Sequence, residues 1–447
     1  MSLSAASLHQ LHLIHEQGSS EYVADTQTTI TYAYKSQAIS SYTRAIKALS
    51  IADLEDSDAA GLYLAATLLL SLFEWDFGSA GSYFIHLNGA DTLVSLRFEN
   101  ISKLPWGPAI LQSWARMHHT RLTRQLPFRP LEKEKPPSHH KIAQLSNQVL
   151  DGSSILSVLV ADAFSLRNRL ILQKCFEGIE HGNQSVLQFW REWYSKVLGF
   201  PYVSETQSHG MKELDKSELL NGLFEDYDRL YKWRQSIPTA AEPIMLQTQP
   251  SDDLDSRNSA LLHTTSWVFP KDGDALQYLG YLMGRILSSR EILNLYLLGD
   301  LIPSPTLPLH PLVRDAFTVI EALDPETTIA HDTYGNGPLW IFGELSTCVP
   351  DLRVVSYLLY TVMPRFRRFA SCGPLLETIT KECQIIACVK SELERGRLTF
   401  LCDPDVILTD DFSLDEGSSV YTKLAVIGRD ERGFYRDLID VDRGNEF

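Results

Sequence analysis

Cysteine is scarce in this chain. There are six in 447 residues, at Cys175, Cys348, Cys372, Cys383, Cys388 and Cys402, and no two stand in a C-x-x-C spacing. That spacing supplies the paired thiolates of most structural zinc sites, so these residues are not expected to hold a metal. The closest pair, Cys383 and Cys388, falls on one predicted helix with the thiols about 140° apart around its axis, turned away from a common ion. So few thiols in so long a chain fit a reducing compartment and cysteines used as small buried hydrophobes. Positive charge is short as well: 40 Lys and Arg against 56 Asp and Glu leave 40 − 56 = −16. A surface that negative repels a polyanion, because nucleic-acid binding needs several cations to displace counterions together.

Long apolar runs are missing too. The longest spans Ala59 to Phe73, is interrupted by Gly61, Thr67 and Ser71, and meets Glu74 and Asp76 at once; it falls short of the roughly 20 residues that cross a bilayer. The opening Met1-Ser2-Leu3-Ser4 lacks the basic start and apolar stretch of a signal peptide, and no membrane partner is expected. Nor is there a G-x-S-x-G elbow, an H-E-x-x-H, a G-x-x-x-x-G-K-[ST] or a G-x-G-x-x-G opening a helix. The nearest glycine-rich string, Tyr334-Gly335-Asn336-Gly337-Pro338, reads as a turn before a helix, with Pro338 suited to a first turn. No catalytic residue, cofactor or metal ligand is assigned.

Helical periodicity is what the chain does have, within 44% hydrophobic residues. Ile30, Tyr34, Ala38, Tyr42, Ile46 and Leu49 keep one face apolar over five turns. Asp56-Ser57-Asp58 is an N-cap cluster for the apolar helix through Leu72, and Gly81 to Phe98 is amphipathic. Similar patterns cover Ala109 to Gln125, Ser154 to Cys175, Ser185 to Leu198, Lys216 to Ser236, Asp274 to Leu298, Pro311 to Leu323, Pro338 to Cys348, Asp351 to Phe369 and Pro374 to Arg395. The expected fold is all-α, a single large multi-helix body over 29–396 after a flexible 1–28. It is interrupted by a Pro-rich loop from Pro127 to His140, a long polar insertion over 237–273 and a connector from Leu301 to Pro311.

The tail, 397–447, differs. Asp403 to Glu416 holds six acidic and no basic residues among Val406, Ile407, Leu408, Phe412 and Leu414. Composition favours a solvated loop before a short element at Val420 to Ile427, leaving the tail acidic and partly disordered. The same mixture suits a partner-binding activation segment through Asp405, Asp410, Asp411, Phe412, Leu414 and Asp415. Among the histidines, His118-His119 and His139-His140 are read as surface or cap residues, and His86 as a partly buried core histidine beside Gly89, where a neighbouring backbone could approach. Arg365, Arg367 and Arg368, like Arg116, Arg121, Arg124 and Arg129, are read as solvated helix ends.

Three pieces stand in a familiar order. They are the Tyr34 to Leu49 helix, the Ala/Leu-rich helix Leu64 to Phe73 ending at Glu74, and the string His86-Leu87-Asn88-Gly89-Ala90-Asp91-Thr92-Leu93-Val94. This order, with Pro338-Leu339-Trp340 through Arg368 and Leu375 to Ile386 as closing helices, resembles the fungal-specific transcription factor domain of zinc binuclear-cluster regulators over residues 30 to 390. The string is similar to the family's H-L-x-G-A-x-x-L-[IV]. The resemblance implies a nuclear transcriptional regulator or co-regulator of fungal genes, secondary-metabolite clusters among them. His86, Leu87, Gly89, Ala90 and Glu74 then serve as structural motif positions. The family's six-cysteine DNA reader is missing from these residues, so direct specific DNA binding by this chain alone is not expected. Such a chain works through protein partners, a transcription factor or the transcription machinery, as a homo- or heterodimer; or its gene model lacks an upstream exon; or the body is reused by an enzyme of a metabolic cluster, with His86, Glu74 or Asp76 in its pocket.

Overall fold

The computed structural model describes residues 57–77, 80–124, 137–149, 152–176, 216–237, 243–247, 265–299, 303–304, 306–329, 337–370, 374–404 and 423–440, with Ser40 and Arg44. Of what it describes, 77% is helical, and the body is all-α with one small three-stranded sheet. The first helices are α1 (Ser57–Phe77), α2 (Ala80–Ser102), α3 (Gly107–Arg124), α4 (Pro137–Val149), α5 (Gly152–Phe176) and α6 (Lys216–Gln235). After the hairpin β1 (Ile244–Gln247) and β2 (Thr265–Val268) come α7 (Asp272–Ser288) and α8 (Arg290–Ile292), which runs into a π-helical stretch, Leu293–Leu298. Then follow α9 (Pro311–Ala322), α10 (Pro325–Thr328), α11 (Leu339–Cys348), α12 (Leu352–Tyr357) with a second π-helical stretch, Leu358–Val362, α13 (Met363–Arg367) and α14 (Pro374–Glu394). The last described elements are β3 (Leu398–Pro404), β4 (Lys423–Asp430) and β5 (Gly433–Asp440). Among the described residues, no helix is long and apolar enough to cross a membrane.

Helix α5 is the rod around which the body is built. Every residue from Ala163 to Leu170 is buried, and α3, α6, α7 and the three-stranded sheet all touch it. A helix enclosed on all sides has no solvent face for its polar residues, so Arg167 must find partners inside. It donates to the carbonyl of Thr347 in α11 at 3.0 Å and to that of Phe400 in β3 at 3.3 Å. One buried guanidinium thus joins three elements far apart in sequence. Phe164 lies against Trp340 with ring centroids 5.6 Å apart.

The sheet has the order β3-β4-β5, antiparallel throughout, with Cys402 opposite Val426 and Ala425 opposite Leu438. Gly396, at φ +76°, ends α14: its N–H bonds to the carbonyl of Leu393 and the next N–H to that of Glu392, and the chain turns into β3. Leu398, Phe400 and Ile427 join the main core, while Cys388, Cys402, Leu424 and Val426 form a smaller cluster beside it. Glu392 of α14, with a fully buried side chain, pairs with Arg397 at 2.9 Å and accepts from the Tyr435 hydroxyl at 3.2 Å. Around the acidic stretch, then, region 397–447 supplies strands to the body; residues 405–422 lie outside the described residues. The boundary at 397 gave this region a single short element. The alternation Leu398-Phe400-Cys402 and Leu424-Val426 spans too few residues to stand out against the acidic composition next to it.

Three further expectations change. The interval 237–273 carries a hairpin, with Ile244 opposite Val268 and Met245 opposite Trp267, because Trp267 is buried among core aromatics. The pattern Asp274 to Leu298 is broken at Ser289, whose hydroxyl accepts the Ile292 N–H at 3.3 Å and starts α8. The loop expected through His140 ends earlier, since α4 begins at Pro137, where a missing N–H costs nothing. The predicted helices Ile30 to Leu49, apart from Ser40 and Arg44, and Ser185 to Leu198 lie outside the described residues.

Candidate functional site

The string that resembles the family motif lies on α2. Tyr83, Leu87, Ala90, Val94 and Ile101 are buried at helical spacing, and with α1 they build an antiparallel pair. At one end Glu74 of α1 and His86 of α2 feel one another electrostatically. At the other, a Cβ on Gly61 would strike Leu104 and Trp106. His86 is half-buried, as its amphipathic setting implied. Burial holds its pKa below the ordinary 6.5, and the nearby Glu74 carboxylate opposes the shift.

Gly89 departs from expectation. It is exposed, and a Cβ there would meet nothing within 4 Å. Among the described residues no neighbouring backbone approaches it, because the buried stripe of α2 runs through Leu87 and Ala90 and Gly89 falls on the opposite face.

Asp91, the residue after the H-L-x-G-A string, joins α2 to α3 through two side chains. Its Oδ1 accepts from the Trp114 indole at 2.9 Å, and the Nδ1 of His118 lies 3.0 and 3.1 Å from its two oxygens. A carboxylate can only accept, so the His118 proton is on Nδ1. Trp114 is fully buried and His118 and His119 are 6% exposed, with the two imidazoles edge to face at 5.4 Å. The reading of His118-His119 as surface or cap residues is therefore corrected. Consecutive positions on α3 still reach buried surroundings because α3 is covered by several helices, and the carboxylate that serves His118 comes from α2, 27 positions upstream. Local spacing could not reveal it.

A second polar cluster escaped the sequence. Arg285 of α7 sits 3.8 Å from the Tyr227 ring centroid and donates to the hydroxyls of Tyr227 and Tyr281. Trp233 stacks on Tyr281 at 6.0 Å, and Tyr278 meets Trp267, Phe269 and the guanidinium of Arg234. Burial raises the phenol pKa of Tyr278 and Tyr281 while Arg234 and Arg285 oppose it. The cluster pins the hairpin to α6 and α7 by cation–π and aromatic contacts. The repeats Tyr227-Tyr231 and Tyr278-Tyr281-Arg285, at helical spacing, were the visible signal.

Of the remaining motif positions, Leu87 and Ala90 are fully buried and Glu74 is part-exposed on α1. The side chain of Asp76, and Asp405, Asp410, Asp411, Phe412, Leu414 and Asp415, lie outside the described residues. Among the arginines, Arg365 pairs with Glu321 at 2.9 Å and is not a bare helix end; Arg367 and Arg368 are exposed, with Arg367 close enough to act electrostatically on Cys383. Among the described residues no three His, Cys, Asp or Glu side chains could hold a metal ion, and Cys383 and Cys388 are each buried as free thiols. No protein-family model, no curated protein and no solved structure matches this chain.

Proposed function

We propose that this chain is a nuclear transcriptional regulator or co-regulator of fungal genes that works through protein partners. The observation that supports the reading is the placement of the H-L-x-G-A string: Leu87 and Ala90 face the core, in keeping with the structural role that the resemblance implies for them, and Asp91, just beyond the string, ties α2 to Trp114 and His118 of α3. The 447 residues contain no C-x-x-C pair, and in this reading DNA is reached through a partner that reads it. The net charge of −16 agrees with that division of labour.

Tethering the full chain to a heterologous DNA-binding domain tests the reading. Activation or repression of a reporter is the expected outcome. A silent reporter, together with turnover of a co-encoded metabolite by the pure protein, would instead make the chain an enzyme.

A further inference from the structure

The connector that enters α9 presents prolines to solvent in a regular order. Leu307 is 43% exposed, Pro308 is exposed, Leu309 is buried in the main core at 7%, His310 is half-buried and Pro311 is exposed again. One inward residue flanked by two outward X-Pro dipeptides is the pattern of a polyproline II helix, which has three residues per turn. The backbone agrees. His310 stands at φ −58° and ψ 140°, the rings hold both prolines near φ of about −65°, and each proline drives the residue before it, Leu307 and His310, toward extended backbone. Pro311 has a place in the fold as the first residue of α9. Pro308 lies before the helix begins.

Three contacts hold the string in this shape. Arg353 of α12, paired with Asp351 at 2.6 Å, donates to the Leu307 carbonyl at 2.8 Å. The Leu307 N–H closes a turn onto the Ser304 carbonyl at 3.1 Å, and the His310 ring accepts the Leu312 N–H at 3.3 Å. Among the described residues no backbone N–H reaches the carbonyls of Pro308 and Leu309. They stand as acceptors on the extended string.

We propose that Leu307 to Pro311 is a ligand for an SH3-type domain, a protein partner whose aromatic-lined groove takes two X-Pro dipeptides three residues apart. Leu307-Pro308 and His310-Pro311 enter that groove, while Leu309 between them points away from it into this protein's own core. Because the fold already fixes the extended shape, binding loses little further conformational entropy. Arg314, exposed in the first turn of α9, puts a cation at the C-terminal end of the string, where it meets an acidic groove rim and sets the direction of docking. This contact goes beyond the regulatory reading and does not depend on it.

Biolayer interferometry of the full chain against a panel of purified, immobilised SH3 domains tests it. Binding to a subset of the panel is expected, with competition by a synthetic P-x-x-P peptide. Pro308→Ala and Leu307→Glu should each weaken binding about tenfold or more, and Arg314→Glu should weaken it most at low salt. All three sites are exposed, and circular dichroism checks that each variant keeps the wild-type fold. A panel that never binds the full chain overturns the proposal. So does binding that survives Pro308→Ala and Leu307→Glu, which would move the contact to another proline-bearing segment such as Pro127 to His140. A Pro308→Ala variant that melts earlier yet binds as wild type would make this proline a stiffener of the connector, and would overturn it equally.

Discussion

Replacing Asp91 should destabilise the contact between α2 and α3. Asp91→Ala removes the carboxylate that accepts from the Trp114 indole at 2.9 Å and from His118 Nδ1 at 3.0 Å, both on side chains sealed from water. A buried donor deprived of its acceptor costs about 1–3 kcal/mol, so two such donors cost about 2–6 kcal/mol. Relief of the desolvated carboxylate, 13% exposed, offsets about 1 kcal/mol of that. The net expectation is about 3 kcal/mol. Asp91→Asn keeps Oδ1 for the Trp114 indole and places an amide N–H2 near His118 Nδ1, which accepts from it in the other tautomer, so about 1 kcal/mol should be lost with the charge. Urea unfolding followed by circular dichroism at pH 7 measures both. An Asp91→Ala variant within about 0.5 kcal/mol of wild type, or an Asn variant as damaging as the Ala variant, would refute the account of this network.

Two further outcomes follow from titratable groups. His310 caps α9, its Nδ1 accepting the Leu312 N–H at 3.3 Å. Burial holds its pKa below 6.5, with Glu291 opposing and Arg314 assisting. Above about pH 6.5 the ring is neutral folded or unfolded and contributes no pH dependence. Below it the unfolded chain takes the proton first, so stability falls with pH, and His86 acts in the same direction. His310→Asn keeps a cap acceptor and should flatten the melting temperature between pH 7 and about pH 5.5 relative to wild type; an unchanged slope would contradict the cap. The thiols of Cys348 and Cys383 are pushed up to about 12 by burial. In native protein at about pH 8 both should alkylate at least ~1,000-fold more slowly than in urea, as peptide mapping would show; comparable rates would mean that α11 and α14 open readily.

The helices were legible because their apolar stripes are long. Lys216 to Ser236 and Pro311 to Leu323 were expected, and the structure has Lys216–Gln235 and Pro311–Ala322. What periodicity could not supply was anything depending on residues far apart. The break at Ser289 lies inside an unbroken apolar pattern and is set by a single hydroxyl. The hairpin consists of two four-residue strands whose reason to form is the burial of Trp267. Leu87 and Ala90 were read from the string and do face inward. Gly89 was read as a site of close approach within the chain, and only the three-dimensional neighbourhood shows that none of the described residues comes within 4 Å of a Cβ there. The Asp91–His118 pair was invisible because it joins successive helices, where residue spacing carries no signal.

The claim that matters most is that the chain regulates transcription through partners. The most direct measurement is reporter output from the tethered full chain, run beside a variant with Phe412→Ala and Leu414→Ala in the acidic stretch. The account predicts that the wild type shifts the reporter and that the variant loses most of the shift, because an acidic segment grips its partner through its apolar residues. A wild type that leaves the reporter unchanged would contradict it.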